Sequence, residues 1–242
     1  MSQLRTDAIV DADGTGAPEF TNGLSSQGTI KLDGNYPVGT GNVALGDTAL
    51  GDASLSGGGL VAVGTDALSA NTSGNSNTGI GYQSGQSLTT GGDNTAIGRA
   101  SLNSTTTGGN NTALGRDTLR SNTTASNNTA VGYQSLYANT TGVGNVAVGK
   151  GALDANTTAN YNTAVGLDAL GTNITGTNNN AFGETALYFN TTGDNNQAFG
   201  RGALESNTTA SNNSAFGHHA LKTNTTGAQN TSVGMFSLTN NT

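Results

Sequence analysis

A small and a large apolar residue recur side by side along the chain, each pair followed by a glycine and preceded by an asparagine and a polar residue. Residues 128–144 are typical: N-T-A-V-G-Y-Q-S-L-Y-A-N-T-T-G-V-G. The glycine at Gly132 returns at Gly64, Gly81, Gly98, Gly115, Gly149, Gly166, Gly183, Gly200, Gly217 and Gly234, every step seventeen residues, with one earlier copy at Gly46, eighteen before Gly64. A period held so strictly marks a stacked repeat architecture. The pattern predicts an all-β solenoid or β-roll of seventeen-residue coils over residues 42–242, preceded by a separate small module at residues 1–41 that does not follow the period. A strand with a helical turn at A-L-x-x-N remains the other reading of each copy.

Each position within the copy has its own chemistry. The residue two before the glycine is small (Ala130, Ala147, Ala164), and the one just before it is larger (Val131, Val148, Val165, Phe182, Phe199, Phe216). Neighbours on a strand face opposite ways, so both faces of this strand require burial. A thin coil buries the small residue inside, and the cheapest cover for the larger one is an identical chain. The predicted oligomer core therefore comprises Val131, Val148, Val165, Phe182, Phe199 and Phe216, together with the leucines four residues after the glycine, Leu136, Leu153 and Leu170. Phe182, Phe199 and Phe216, in successive coils, should stack as an aromatic ladder.

The rest of each copy is turn chemistry. N-T-T-G or N-T-T-A recurs at Asn122, Asn139, Asn156, Asn190, Asn207 and Asn224, and such asparagines favour Asx turns and left-handed backbone. A second asparagine, as at Asn128 and Asn145, re-enters the strand and should form an amide ladder between coils about 4.8 Å apart, giving a shaft about 50 Å long.

Composition fits a thin repeated core and not a wide one: hydrophobic residues are 33%, charged residues 10%, and glycine numbers 38 of 242. The net charge of −7 and the lack of a Lys/Arg cluster argue against nucleic-acid binding. There is no cysteine, so no disulfide framework and no thiolate metal site. No apolar run approaches membrane-spanning length, and the N-terminus shows no apolar segment of a secretion signal.

In the leader, Leu4–Val10 and Gly28–Gly34 read as short alternating strands separated by a Gly/Pro turn at Asp11–Pro18. The stretch L-R-T-D-A-I-V-D-A-D-G-T-G-A-P-E-F-T-N-G-L (Leu4–Leu24) resembles the N-terminal leader of tail-fibre-type virion proteins of cyanophages, most specifically in the G-T-G-A-P-x-F core. The resemblance implies that the leader docks on phage tail or baseplate proteins through Leu4, Arg5, Asp7, Ile9, Pro18 and Phe20, and that the repeats project outward for host attachment. It places the protein in the virion. The N-(S/T)-(A/V)-(I/V)-G pattern is also similar to the head repeats of trimeric autotransporter adhesins, which form left-handed β-rolls from shorter repeats. Both resemblances imply a homotrimer, with a host surface glycan or protein as a further partner. A cell-surface adhesin is the main alternative, set back by the missing signal and anchor.

Candidate chemistry is sparse. Asp11, Asp13, Thr15 and Gly16 match part of an EF-hand loop, but Asn22 stands where a glutamate is required and no helical pattern flanks it. Gly142–Ala147 matches G-x-G-x-x-A without a βαβ unit. The two histidines, His218 and His219, should diverge if they lie on a strand. Asp168, Glu184 and Arg201 read as an exposed salt-bridge ladder in preference to the paired acids of a glycan-cleaving site. The sequons at Asn71, Asn122 and Asn139 read as turn residues. Tyr82, Tyr133, Tyr137, Tyr161 and Tyr188 read as filler at subunit contacts before sugar-stacking rings. A file of threonines (Thr123, Thr140, Thr157, Thr191, Thr208, Thr225) raises an ice-binding solenoid as a lesser alternative. No catalytic, cofactor or metal site is assigned, and the chain is read as a non-enzyme. The period runs to the last residue, so a distal cap is expected from a further domain or from the next protein of the fibre.

Overall fold

A computed structural model describes residues 41–52 and 54–241. The leader strands, the partial calcium loop and the docking residues Leu4, Arg5, Asp7, Ile9, Pro18 and Phe20 lie outside the described residues.

The repeat folds as a parallel β-solenoid, one coil per seventeen-residue copy. Each coil contributes one three-residue strand: β1 (Val43–Leu45), β2 (Val61–Val63), β3 (Thr78–Ile80), β4 (Thr95–Ile97), β5 (Thr112–Leu114), β6 (Thr129–Val131), β7 (Val146–Val148), β8 (Thr163–Val165), β9 (Asn180–Phe182), β10 (Gln197–Phe199), β11 (Ser214–Phe216) and β12 (Thr231–Val233). They form a single sheet in sequence order, and each pairs with the next in exact copy register, as in Thr129↔Val146, Ala130↔Ala147 and Val131↔Val148. Among the described residues there is no helix, so the strand-plus-helical-turn reading is set aside.

The glycine at the end of each strand is required twice over. Gly132 holds φ at 128°, a region closed to most side chains. A Cβ there would also lie 2.6 Å from the carbonyl oxygen of Gly149 in the next coil. The glycines therefore form a column in which each backbone rests on the next.

The turn after the column brings a result that residue preferences did not forecast. Gln134 and Leu136 both have positive φ, 56° and 51°, and the same two positions repeat in other coils, for example at Asp168 (53°) and Leu170 (51°). A left-handed leucine costs about 1–2 kcal/mol. The arrangement persists because it turns the leucine inward and lets its N–H donate to the coil above, Leu136 N to Ala152 O at 3.0 Å. Coil-to-coil bonds continue around the perimeter: Gly149 N to Val131 O at 2.8 Å, Gly151 N to Tyr133 O at 3.0 Å and Thr140 N to Thr157 O at 2.8 Å. These bonds tie each coil to the next at several points of its perimeter, as a narrow solenoid requires.

The core is a file of alanines and leucines. Ala130, Ala147 and Ala164 are fully buried, and so are Leu136, Leu153 and Leu170. The leucines thus belong to the core of one chain, not to an inter-subunit core as the sequence reading had it. In the coils that carry it buried, the inward leucine, not the outward valine, fills the space beneath the strand; after β3 the position is Gly85.

Two asparagine columns line the remainder of the interior. Asn128 Oδ1 accepts the backbone N–H of Asn145 at 2.9 Å while its Nδ2 donates to Gly142 O at 2.9 Å. This is the ladder expected of the second asparagine. The asparagine of N-T-T-G behaves differently from expectation. Asn139 is fully buried, and its Nδ2 donates to Asn122 Oδ1 at 3.1 Å and to Gly142 O at 3.0 Å. It is an interior rung and not a left-handed turn residue; that conformation falls instead to positions such as Asn127, with φ 62°.

Candidate functional site

With the interior sealed, chemistry available to a partner lies on the outer faces. On the sheet, the outward positions are the first and third residues of each strand. The third forms an apolar file: Val131, Val148 and Val165 are half-buried, as is Phe199, whereas Phe182 and Phe216 are 37% and 41% exposed. The phenylalanines stack ring on ring, Phe182 to Phe199 at 4.8 Å and Phe199 to Phe216 at 5.0 Å, within 9° of parallel. In-register strands impose this geometry. The stack stands on the outer surface of the single chain, not within its core. The first strand position carries Thr129, Val146, Thr163, Asn180, Gln197 and Ser214 across β6 to β11. No outward position of any of the twelve strands bears a charge.

Just past the glycine column the character changes. Tyr82, Arg99, Arg116, Tyr133 and Lys150 occupy the same position of five successive coils, and all are exposed. Asp117, beside them, is 4% exposed and takes three guanidinium groups: Arg116 at 3.0 Å, Arg120 at 3.3 Å and Arg99 at 3.9 Å. The Arg116 guanidinium also lies over the Tyr133 ring, 5.5 Å from its centroid. The sequence reading passed over this cluster. Its signal was available in the spacing, since Arg99 and Arg116 are one period apart.

The other candidates resolve individually. Glu184 pairs with Arg201 at 3.4 Å, with both side chains largely exposed. Asp168 is not part of that pair. It acts instead on Asp154, whose carboxyl is held above the ordinary range by burial and by the Asp168 charge. His218 and His219 do not diverge: they sit in a turn with their rings stacked at 3.9 Å, and Phe236 packs edge-on against both. Burial, then Lys222 and His218, hold the His219 imidazole below its usual pKa against the opposing pull of Glu205.

Gly142–Ala147 offers no phosphate cradle. The backbone N–H groups of Val143, Asn145 and Val146 are already bonded to Asn160 Oδ1, Asn128 Oδ1 and Asn162 O, at 2.7, 2.9 and 2.8 Å. Tyr82, Tyr133 and Tyr161 are exposed, whereas Tyr137 and Tyr188 are half-buried. The file from Thr123 onward turns its hydroxyls to the backbone of the next coil, as in Thr123 Oγ1 to Thr140 O at 3.0 Å. Among the described residues, no three His, Cys, Asp or Glu side chains are grouped to hold a metal ion, and no helix is long and apolar enough to cross a membrane.

No protein-family model, no curated protein and no solved structure matches the chain.

Proposed function

We propose that the protein is a structural component of a phage virion, a tail fibre in which three copies pack their sheets together and the leader at residues 1–41 docks on tail or baseplate proteins. The observation that carries this reading is the uncharged, partly apolar outer face of the sheet, with its ladder at Val131, Val148, Val165, Phe182, Phe199 and Phe216. The core of a stable interface is depleted of charge and enriched in aromatic groups. A second copy supplies the matching surface without any new sequence, because in-register repeats present the same spacing on every chain. The resemblance of Leu4–Leu24 to cyanophage fibre leaders supports the docking role, and host attachment then falls to the projecting shaft.

The test begins with the mass of the native assembly by analytical ultracentrifugation. Val131→Asp and Val148→Asp place a charge on the outward face, where a monomer tolerates it and a packed interface does not. These variants should keep the β-rich circular dichroism of the wild type and sediment as single chains. Native-size oligomers from either variant would remove the interface. Deletion of residues 1–24 should leave a folded rod absent from purified particles, and normal incorporation of the deleted form would remove the docking role.

A second reading has one observation of its own. An exposed file of hydroxyls runs beside the bonded one, through Thr124, Thr141, Thr158 and Thr175, as a lattice-binding face such as that of an ice-binding solenoid would need. Thermal hysteresis of the purified chain separates the two readings.

A further inference from the structure

The cation stripe is out of keeping with the rest of the chain. The molecule carries 8 Lys and Arg against 15 Asp and Glu. Yet Arg99, Arg116, Arg120 and Lys150 all fall within residues 94–153, where Asp117 is the sole carboxylate. Backbone bonds between coils fix the stacking of these positions: Asp117 N donates to Arg99 O at 2.9 Å, Gln134 N to Arg116 O at 3.2 Å and Gly151 N to Tyr133 O at 3.0 Å. Tyr82, Arg99, Arg116, Tyr133 and Lys150 therefore form a straight row, about 4.8 Å per step and about 20 Å in all.

One buried carboxylate cannot neutralise three guanidinium groups. The Arg99, Arg116 and Arg120 side chains remain 51%, 58% and 42% exposed, so Asp117 aligns them while most of their N–H donors face solvent. A guanidinium held in this way loses little freedom when it engages an anion bidentately. At either side of the arginine pair stands an exposed tyrosine, Tyr82 at 48% and Tyr133 at 38%. A tyrosine ring presents an apolar face with a polar tip, which suits the mixed apolar and hydroxyl faces of a sugar ring.

We propose that this row is a binding site for an acidic polysaccharide. Its carboxylate or sulfate groups take the free guanidinium donors and Lys150, and its rings lie on Tyr82 and Tyr133. Nucleic acid suits the row less well. Duplex DNA carries a charge about every 1.7 Å and would run past the short patch onto a chain whose net charge is −7. A glycan with spaced charges fits a patch this short, bounded by Asp93 and Asp154. The site goes beyond the fibre reading and does not depend on it: binding is read on the purified full chain, whereas the fibre reading stands or falls on assembly mass and particle incorporation.

The experiment is calorimetric titration of the full chain with polygalacturonate, dextran sulfate, neutral dextran and a thymidine oligonucleotide. The two acidic glycans should bind, and their relative affinities assign carboxylate or sulfate as the preferred group. The double variant Arg99→Gln/Lys150→Gln, both of whose changes lie on exposed side chains, should weaken them at least about tenfold and flatten the salt dependence by roughly two in log–log slope. Tyr82→Ala should weaken binding with the salt slope unchanged, while Arg201→Gln, in a distant coil, should leave it as in the wild type. Neutral dextran binding as tightly as the acidic glycans, an oligonucleotide binding more tightly, or affinities unmoved in both row variants would each overturn the proposal.

Discussion

The coils around Asn71 and those from Asn122 onward are built to the same plan, yet the same position does opposite things in the two regions. From Asn122 to Asn241 the interior amide column is unbroken, each Nδ2 donating to the Oδ1 below it: Asn156 to Asn139 at 3.0 Å, Asn173 to Asn156 at 3.1 Å and Asn190 to Asn173 at 2.8 Å. In the earlier region the position after Asn71 is Leu88, which is 1% exposed and packs with Leu50, Leu55, Leu60 and Leu68. Asn71 is fully buried there, and neither its Nδ2 nor its Oδ1 finds a partner among the described residues. Thr105 restarts the column by accepting from Asn122 Nδ2 at 3.1 Å and donating to Asn122 O at 3.2 Å. In a stack of nearest-neighbour interactions, a residue's contribution is set by the coils above and below it. An asparagine in an amide column is satisfied, whereas the same asparagine beside an apolar rung is a buried polar group with nothing to bond.

Substitutions that separate the two regions follow from this. The largest effect should come from the feature both regions share. Gly132→Ala puts a side chain at φ 128° and against the next coil's carbonyl, and should cost about 3 kcal/mol or more. Urea titration should show a loss of that size together with lost amide protection in the adjoining coils. Next comes one substitution made in each region. Asn156→Leu leaves Asn139 Oδ1, Asn173 Nδ2 and Ala159 O each short of a bond and should cost about 3 kcal/mol. Asn71→Leu removes two orphaned groups and continues an apolar column, so it should stabilise by about 1 kcal/mol. Equal signs in thermal melting of the two variants would break the comparison.

The smallest effect concerns a defect of the later coils. Asp154 has its pKa raised, first by burial and then by Asp168, so its charged form weakens the fold above the folded-state pKa and protonation relieves this as pH falls. Asp154→Asn should therefore stabilise slightly near pH 7, by a fraction of a kcal/mol after solvent screening. The gain should shrink as pH drops through the raised carboxyl pKa and vanish below the ordinary carboxylate range. Melting curves at neutral and acid pH check both the sign and the window.

Much of this architecture could be read before the structure. The period fixed the coils, the Ala-Val pair assigned an inner and an outer face, and the re-entrant asparagine announced its ladder. Other features were hidden for identifiable reasons. Leu136 and its equivalents carry no mark of left-handed backbone, because that conformation is imposed by stacking bonds and inward packing and not by the leucine itself. Asn139 looked like a turn former, since the same residue type serves Asx turns and interior ladders and only burial distinguishes them. His218 and His219 looked divergent under a strand assumption that the turn does not meet. The arginines around Asp117 were missed because the one-period spacing of Arg99 and Arg116 makes them neighbours only once the chain is wound into coils.

Because every rung of the solenoid bonds only to the rung before and the rung after, no coil depends on its absolute place in the row. From Asn122 onward a block of seventeen codons can be duplicated or excised and the amide column still joins like to like, so the reach of such a protein can drift by whole increments while its cross-section stays constant. The off-length spacing between Gly46 and Gly64 shows what a fractional increment demands: β1 pairs with β2 eighteen residues on, yet Gly58 N already bonds Asn75 Oδ1 at the regular seventeen, so the extra residue is taken up before Gly58 and the next rung is back in line.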